Sequence, residues 1–161
     1  MVQDEIAHGL ARALQLEVVT RPQVPPRSLE AYDSFLRGLH AREGYNQAGF
    51  EEAVANFRQA LRFDPNYVPA AEALARALAD QAQWGFVPPR VGFERARAAA
   101  ISALKLDSKS ALLHAVLGSI HTWYDWDWSD AERELNTAVA LAPNDPAVLL
   151  FAAEFPSAIG R

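Results

Sequence analysis

Half of the 161 residues are apolar, enough for one ordinary domain or a short helical array to bury a core without metal or disulfide staples. Cysteine is absent, which excludes disulfide scaffolds and thiolate chemistry. A net charge of −5 argues against a nucleic-acid face, which needs clustered Lys and Arg, and the longest apolar run, 147–153, is far too short to cross a bilayer.

The chain opens without a basic region followed by a continuous apolar segment, so no secretory signal is expected. Val2, Ile6, Leu10, Ala13 and Leu14 recur at helical spacing and predict a leader helix over 1–19, with Asp4 and Glu5 placed where a helix dipole favours negative charge. The stretch 20–27 reads Thr-Arg-Pro-Gln-Val-Pro-Pro-Arg, and its three prolines predict an extended connector.

From Ser28 onward the helical signal is nearly continuous. Tyr32, Phe35, Leu36 and Leu39 form one apolar stripe, 44–49 a turn, and Phe50, Val54, Phe57 and Leu61 a second stripe, which together predict a first hairpin over about 28–65. An alanine-rich helix over 67–83, a long loop at 84–90 with Gly85, Pro88 and Pro89, and a helix over 91–106 predict a second hairpin over about 66–108. A helix over 111–122, an aromatic interruption at 123–128, and a capping box of Ser129 and Glu132 opening a helix to Leu141 predict a third over about 109–143. Asp145 before Pro146 opens a terminal helix over 145–158, which Pro156 is expected to limit. No alternating β-branched run competes, so the fold class is all-α.

One rhythm recurs three times: Ala53, Phe57, Ala60, Pro65; Ala96, Ala100, Ala103, Ser108; Ala131, Leu135, Ala138, Pro143. Positions spaced by four and three share a helix face, small ones admit a close neighbour, and proline beyond the last turn stops the helix. With Leu74 and Ala75, and again Leu117 and Gly118, in the preceding helices, 28–161 resembles the tetratricopeptide repeat. Three stretches, Val2-Gln3-Asp4-Glu5-Ile6-Ala7, Phe86-Val87-Pro88-Pro89 and Tyr124-Asp125-Trp126-Asp127-Trp128, resemble a subgroup found in bacterial multidomain signalling proteins: winged-helix regulators, adenylate cyclases and Ser/Thr kinases. Ser108 in place of proline, uneven repeat spacing and Phe155-Pro156 depart from that pattern.

The resemblance implies a right-handed superhelical array of about three helical hairpins, an α-solenoid whose first helices line a concave side. Carried over by register, the lining positions are Glu72, Arg76 and Ala79 in the second repeat and Ala115, Ser119 and Thr122 in the third. Asp80, four residues after Arg76, and Trp123, next to Thr122, complete the expected partner-binding face. Glu72, Arg76 and Asp80 share one helix face and read either as a solvated stripe of internal ion pairs or as a polar groove that grips a peptide. The aromatic run 123–128 reads either as an exposed contact site or as a plug filling the gap where the loop departs from a minimal hairpin.

Metal and catalytic signals are thin. Asp125, Asp127 and Ser129 imitate the start of a calcium loop, but the sixth position is Asp130 rather than Gly and the twelfth is Asn136 rather than Glu. His114 and His121 share a face with no third ligand signalled, and no nucleophile elbow, phosphate loop or kinase signature occurs. No enzymatic activity, metal or cofactor is therefore expected. The expected partner is a protein, a peptide or an effector domain of the same full-length chain, with no nucleic acid and no membrane insertion. The alternative is a structural element that self-associates through the array ends. The resembled proteins hold the array on either side of a membrane, which leaves the compartment open.

Overall fold

The computed structural model describes residues 27–158, so the expected leader helix and all but the last residue of the connector lie outside the described residues. Among the described residues there are seven α-helices, one π-helical turn and no strand. The helices pair in chain order. Helix α1 (Leu29–Arg42) packs on α2 (Gln47–Phe63), α3 (Val68–Gln83) on α4 (Pro89–Leu104), and α5 (Ala111–Ile120) on α6 (Trp128–Leu141). Helix α7 (Pro146–Ala158) closes the row against both α5 and α6. The first helices of successive pairs also touch, α1 with α3, α3 with α5 and α5 with α7, so they form one face of an array of helical hairpins. No described helix is long and apolar enough to cross a membrane.

Local chemistry sets most helix starts. Ser28 Oγ accepts the Ala31 N–H at 3.1 Å, Asn46 Oδ1 that of Gly49 at 2.9 Å, and Ser110 Oγ that of Leu113 at 3.3 Å. Asp145 Oδ1 accepts Ala147 N–H at 2.8 Å, as the Asp-Pro start predicts. The capping box lies elsewhere than expected: Asp127 caps α6, accepting the Asp130 N–H at 3.0 Å, and Ser129 already belongs to the helix. Helix α7 runs through Pro156 to Ala158 rather than stopping before it. A proline near a helix end removes only one ladder bond of a last turn that carbonyls already leave open.

The repeated rhythm marks the core. Ala53, Phe57 and Ala60, then Ala96, Ala100 and Ala103, then Ala131, Leu135 and Ala138 are all buried. In the first hairpin the expected α1 stripe is rotated. Ala31, Ser34, Phe35 and Gly38 are buried, whereas Tyr32 and Leu36 are exposed and Leu39 is half-buried. The cause is the bulk of Phe57 on α2. A Cβ built on Gly38 would lie 2.5 Å from its ring, so α1 turns its smallest residue to that ring. Phe35 then meets Phe57 at 6.0 Å and the edge of Tyr67 at 5.3 Å between ring centroids, joining the first pair to α3.

Candidate functional site

The inner face is built by the first helices of each pair, and its chemistry concentrates where α1, α3 and α7 converge. Arg76 on α3 lies with its guanidinium carbon 5.2 Å from the centroid of the Phe151 ring on α7. On the intervening helix α5, Ala115 and Ser119 are buried. Arg76 Nε is 3.7 Å from Asp80 Oδ2, beyond hydrogen-bond range, and is buried without a hydrogen-bond partner. Glu154 Oε2, one helical turn from Phe151, is likewise buried and unpartnered. Two guanidiniums and two carboxylates, Arg42, Arg76, Asp80 and Glu154, thus share a partly dehydrated space.

Their fields show in the protonation of the cluster. Burial pushes the Asp80 carboxyl above its ordinary 3.8, and Glu154 adds to that, while Arg76 and Arg42 pull it down. Burial and the neighbouring Arg76 lower Arg42. A carboxyl raised in the folded state stabilises the fold below pH about 3.8, and that contribution fades as pH rises through the folded value. A carboxyl-resolved NMR titration is expected to find Asp80 midway above 3.8, and further up in Arg76→Met, where the largest opposing charge is gone. A midpoint at or below 3.8 would mean that the pair, rather than burial, governs the site.

The remaining expected positions fall into two groups. Ala79, Ala115, Ser119 and Thr122 are buried, the two hydroxyls donating to the carbonyls of Val116 at 3.0 Å and Gly118 at 2.8 Å. Buried in this way, they offer no side-chain surface to a partner. Glu72 is half-buried and accepts a hydrogen bond from Ser110 Oγ, which ties α3 to the start of α5. Trp123 is exposed at the edge rather than in the floor. Three participants were missed: Arg42, Phe151 and Glu154. The sequence did carry one signal, a single charged residue, Glu154, in the mostly apolar helix α7.

The aromatic interruption is a π-helical turn, His121–Asp125, followed by Trp126 in left-handed backbone at φ 58°. Tyr124 stacks on Phe93 of α4 at 5.3 Å, and Arg97 Nη2 donates to both Asp125 oxygens at 2.7 and 2.8 Å. His121 Nδ1 sits 2.8 Å from Asp125 Oδ2 but without hydrogen-bond alignment. The turn is therefore plugged into α4 through Tyr124 and Asp125, while Trp123 and Trp126 remain exposed. The plug reading holds for Tyr124 and Asp125, while Trp126 is exposed and meets the Trp128 ring edge-on at 5.5 Å. Among the described residues no three His, Cys, Asp or Glu side chains gather as a metal site.

No profile of a known protein family matches the chain. It is 27% identical over 123 residues to the transcriptional regulator HilA of Salmonella typhimurium and, equally, of Salmonella typhi, a match covering 76% of this chain. The chain spans 22% of the length of those curated relatives. Among solved structures it is similar to the tetratricopeptide-repeat domain of Arabidopsis OM64, with TM-score 0.63 and 14% identity over 80% of this chain and 95% of that one. The first such domain of Spaghetti (RPAP3), solved bound to the HSP90 peptide SRMEEVD, gives TM-score 0.61 and 14% identity over 86% and 99% of the two chains. The CopN-Scc3 complex gives 0.58 and 18% over 92% and 84%. The fold is that of tetratricopeptide-repeat domains.

Proposed function

We propose that this array is a protein-interaction module that grips an extended peptide or partner segment along its inner face, within a larger bacterial transcriptional or signalling regulator. The observation that carries this reading is the pair of polar atoms without a hydrogen-bond partner, Arg76 Nε, whose guanidinium meets the Phe151 ring, and Glu154 Oε2 on the same helix as Phe151. A buried donor or acceptor without a partner costs about 1–3 kcal/mol, so a ligand supplying both gains what the free array lacks. A peptide backbone does this naturally, its carbonyl accepting from Arg76 and its N–H donating to Glu154. Glu72 and Asp80 then select among side chains, and Trp123 lies at the rim. The likeness to HilA and to domains solved with peptide or protein partners supports the reading.

The test uses peptides selected by display on the wild-type chain. Arg76→Gln and Glu154→Gln are each expected to weaken the selected peptides about tenfold or more, with helicity and melting nearly unchanged. Unchanged affinity in both variants would place recognition elsewhere, and a collapse of melting would make the pair structural. The end-stacking alternative finds its support in Leu149 and Leu150, exposed on the outer side of α7.

A further inference from the structure

Among the described residues, four buried side-chain polar atoms have no hydrogen-bond partner, on Tyr67, Arg76, His121 and Glu154. Two of the four, Arg76 Nε and Glu154 Oε2, belong to the same inner-face cluster. One is an N–H that can only donate, the other a carboxylate oxygen that can only accept. Phe151 brings them to one place: the Arg76 guanidinium carbon lies 5.2 Å from its ring centroid, and Glu154 follows it by three residues on α7. A group that carries an acceptor and a donor together satisfies both atoms, and a buried atom left without a partner is what makes such a group bind.

Charge narrows the choice. The fields acting on Asp80 come from Arg76, Arg42 and Glu154, and those acting on Arg42 come from Arg76, Asp80 and Tyr45. Two guanidiniums and two carboxylates balance, and the tyrosine adds no charge at neutral pH. Burial is the largest influence on Asp80, ahead of both guanidiniums, which marks a space where an added charge is poorly solvated. A ligand carboxylate would meet Arg76 but set acceptor against acceptor at Glu154. A ligand ammonium would meet Glu154 but set donor against donor at Arg76. Either would also leave the cluster with a net charge that burial penalises.

A neutral amide suits both ends. Main chain serves the two atoms only with two separate units, because the N–H and C=O of a trans peptide point in opposite directions. The carboxamide of a Gln or Asn side chain carries its oxygen and its NH2 on one carbon, so a single planar group offers an acceptor and a donor on the same side.

We infer that the inner face selects a neutral carboxamide side chain, Gln or Asn, of the bound peptide, with Arg76 Nε donating to its oxygen and its NH2 donating to Glu154. This rests on the peptide reading above and adds the chemical class of the residue seated at the cluster.

The test is calorimetric titration of the full 161-residue chain at neutral pH with four capped tripeptides, acetyl-Ala-X-Ala-amide, in which X is Gln, Glu, Lys or Ala. The Gln peptide is expected to bind about tenfold or more tighter than the other three. Two variants then move the charge balance in opposite directions. Glu154→Gln leaves one positive charge in excess and is expected to turn preference toward the Glu peptide, and Arg76→Gln, with one negative charge in excess, toward the Lys peptide. Residues that merely held the helices together would lower all affinities alike and leave their order unchanged. Melting curves check that both variants keep the fold, and where one does not, the wild-type ranking alone decides. A wild type that binds the Glu or Lys peptide as tightly as the Gln peptide overturns the inference, as does failure of the Gln peptide to bind. Equal binding of all four, lost in Arg76→Gln, overturns the side-chain assignment while main-chain recognition at the inner face stands.

Discussion

Replacing Phe57 by Ala is expected to lower stability by about 3–5 kcal/mol, the largest single-residue loss in the array. The ring is fully buried, lies against Phe35, and rests in the notch that Gly38 leaves open on α1. Removing it forfeits the burial of a whole aromatic side chain and leaves a cavity between α1 and α2. Gly38 has no side chain with which to fill it. Set against the 5–15 kcal/mol of a typical domain, that is a large fraction. Urea unfolding followed by circular dichroism would register it as a lower midpoint. A loss under about 1 kcal/mol would mean that Gly38 and Phe57 are not the joint described above. Gly38→Ala tests the same joint from the other side. Its new methyl would collide with the ring at 2.5 Å, and Phe57→Leu in the same chain should recover part of the loss.

Gly118→Val is expected to be the second most damaging change, at about 2–3 kcal/mol or more. A Cβ at this position would fall 2.6 Å from Leu135 Cγ and 2.8 Å from its Cδ2, with the Ala131 carbonyl at 3.4 Å. Leu135 is buried on α6, and Ala131 belongs to the backbone of the same helix, so neither side yields without the hairpin opening. Opening it also disturbs the Thr122 hydroxyl, which donates to the Gly118 carbonyl at 2.8 Å from within the π turn. The measurement is a double-mutant cycle with Leu135→Ala. Strong coupling, in which the second change relieves the first, supports direct contact between the two positions. Additive losses would place the damage elsewhere.

The sequence made the hairpins legible because their buried positions follow a strict spacing of small and large residues, and burial along Ala96, Ala100 and Ala103 needs nothing beyond that rule. It misled where a small residue on one helix answers a large one on another. On α1 the eye goes to Tyr32 and Leu36, but Phe57 chooses Gly38, and no local pattern encodes that choice. The inner face was half visible for the same reason. Arg76 and Asp80 are on one helix and four apart, so periodicity finds them, whereas Arg42 and Glu154 reach the cluster only through the stacking of α1, α3 and α7. The N-cap of α6 moved from Ser129 to Asp127 because a π turn changed the phase at which the chain arrives, and a widened turn leaves no spacing signature of its own.

The Arg76 guanidinium resting on Phe151 joins the second hairpin to the terminal helix. That contact ties α7 to α3. A ligand that recruits Arg76 must draw it off the ring, and α7 then keeps only its packing on the third hairpin. On the function proposed above, occupancy at the centre would in this way be felt at the terminal helix.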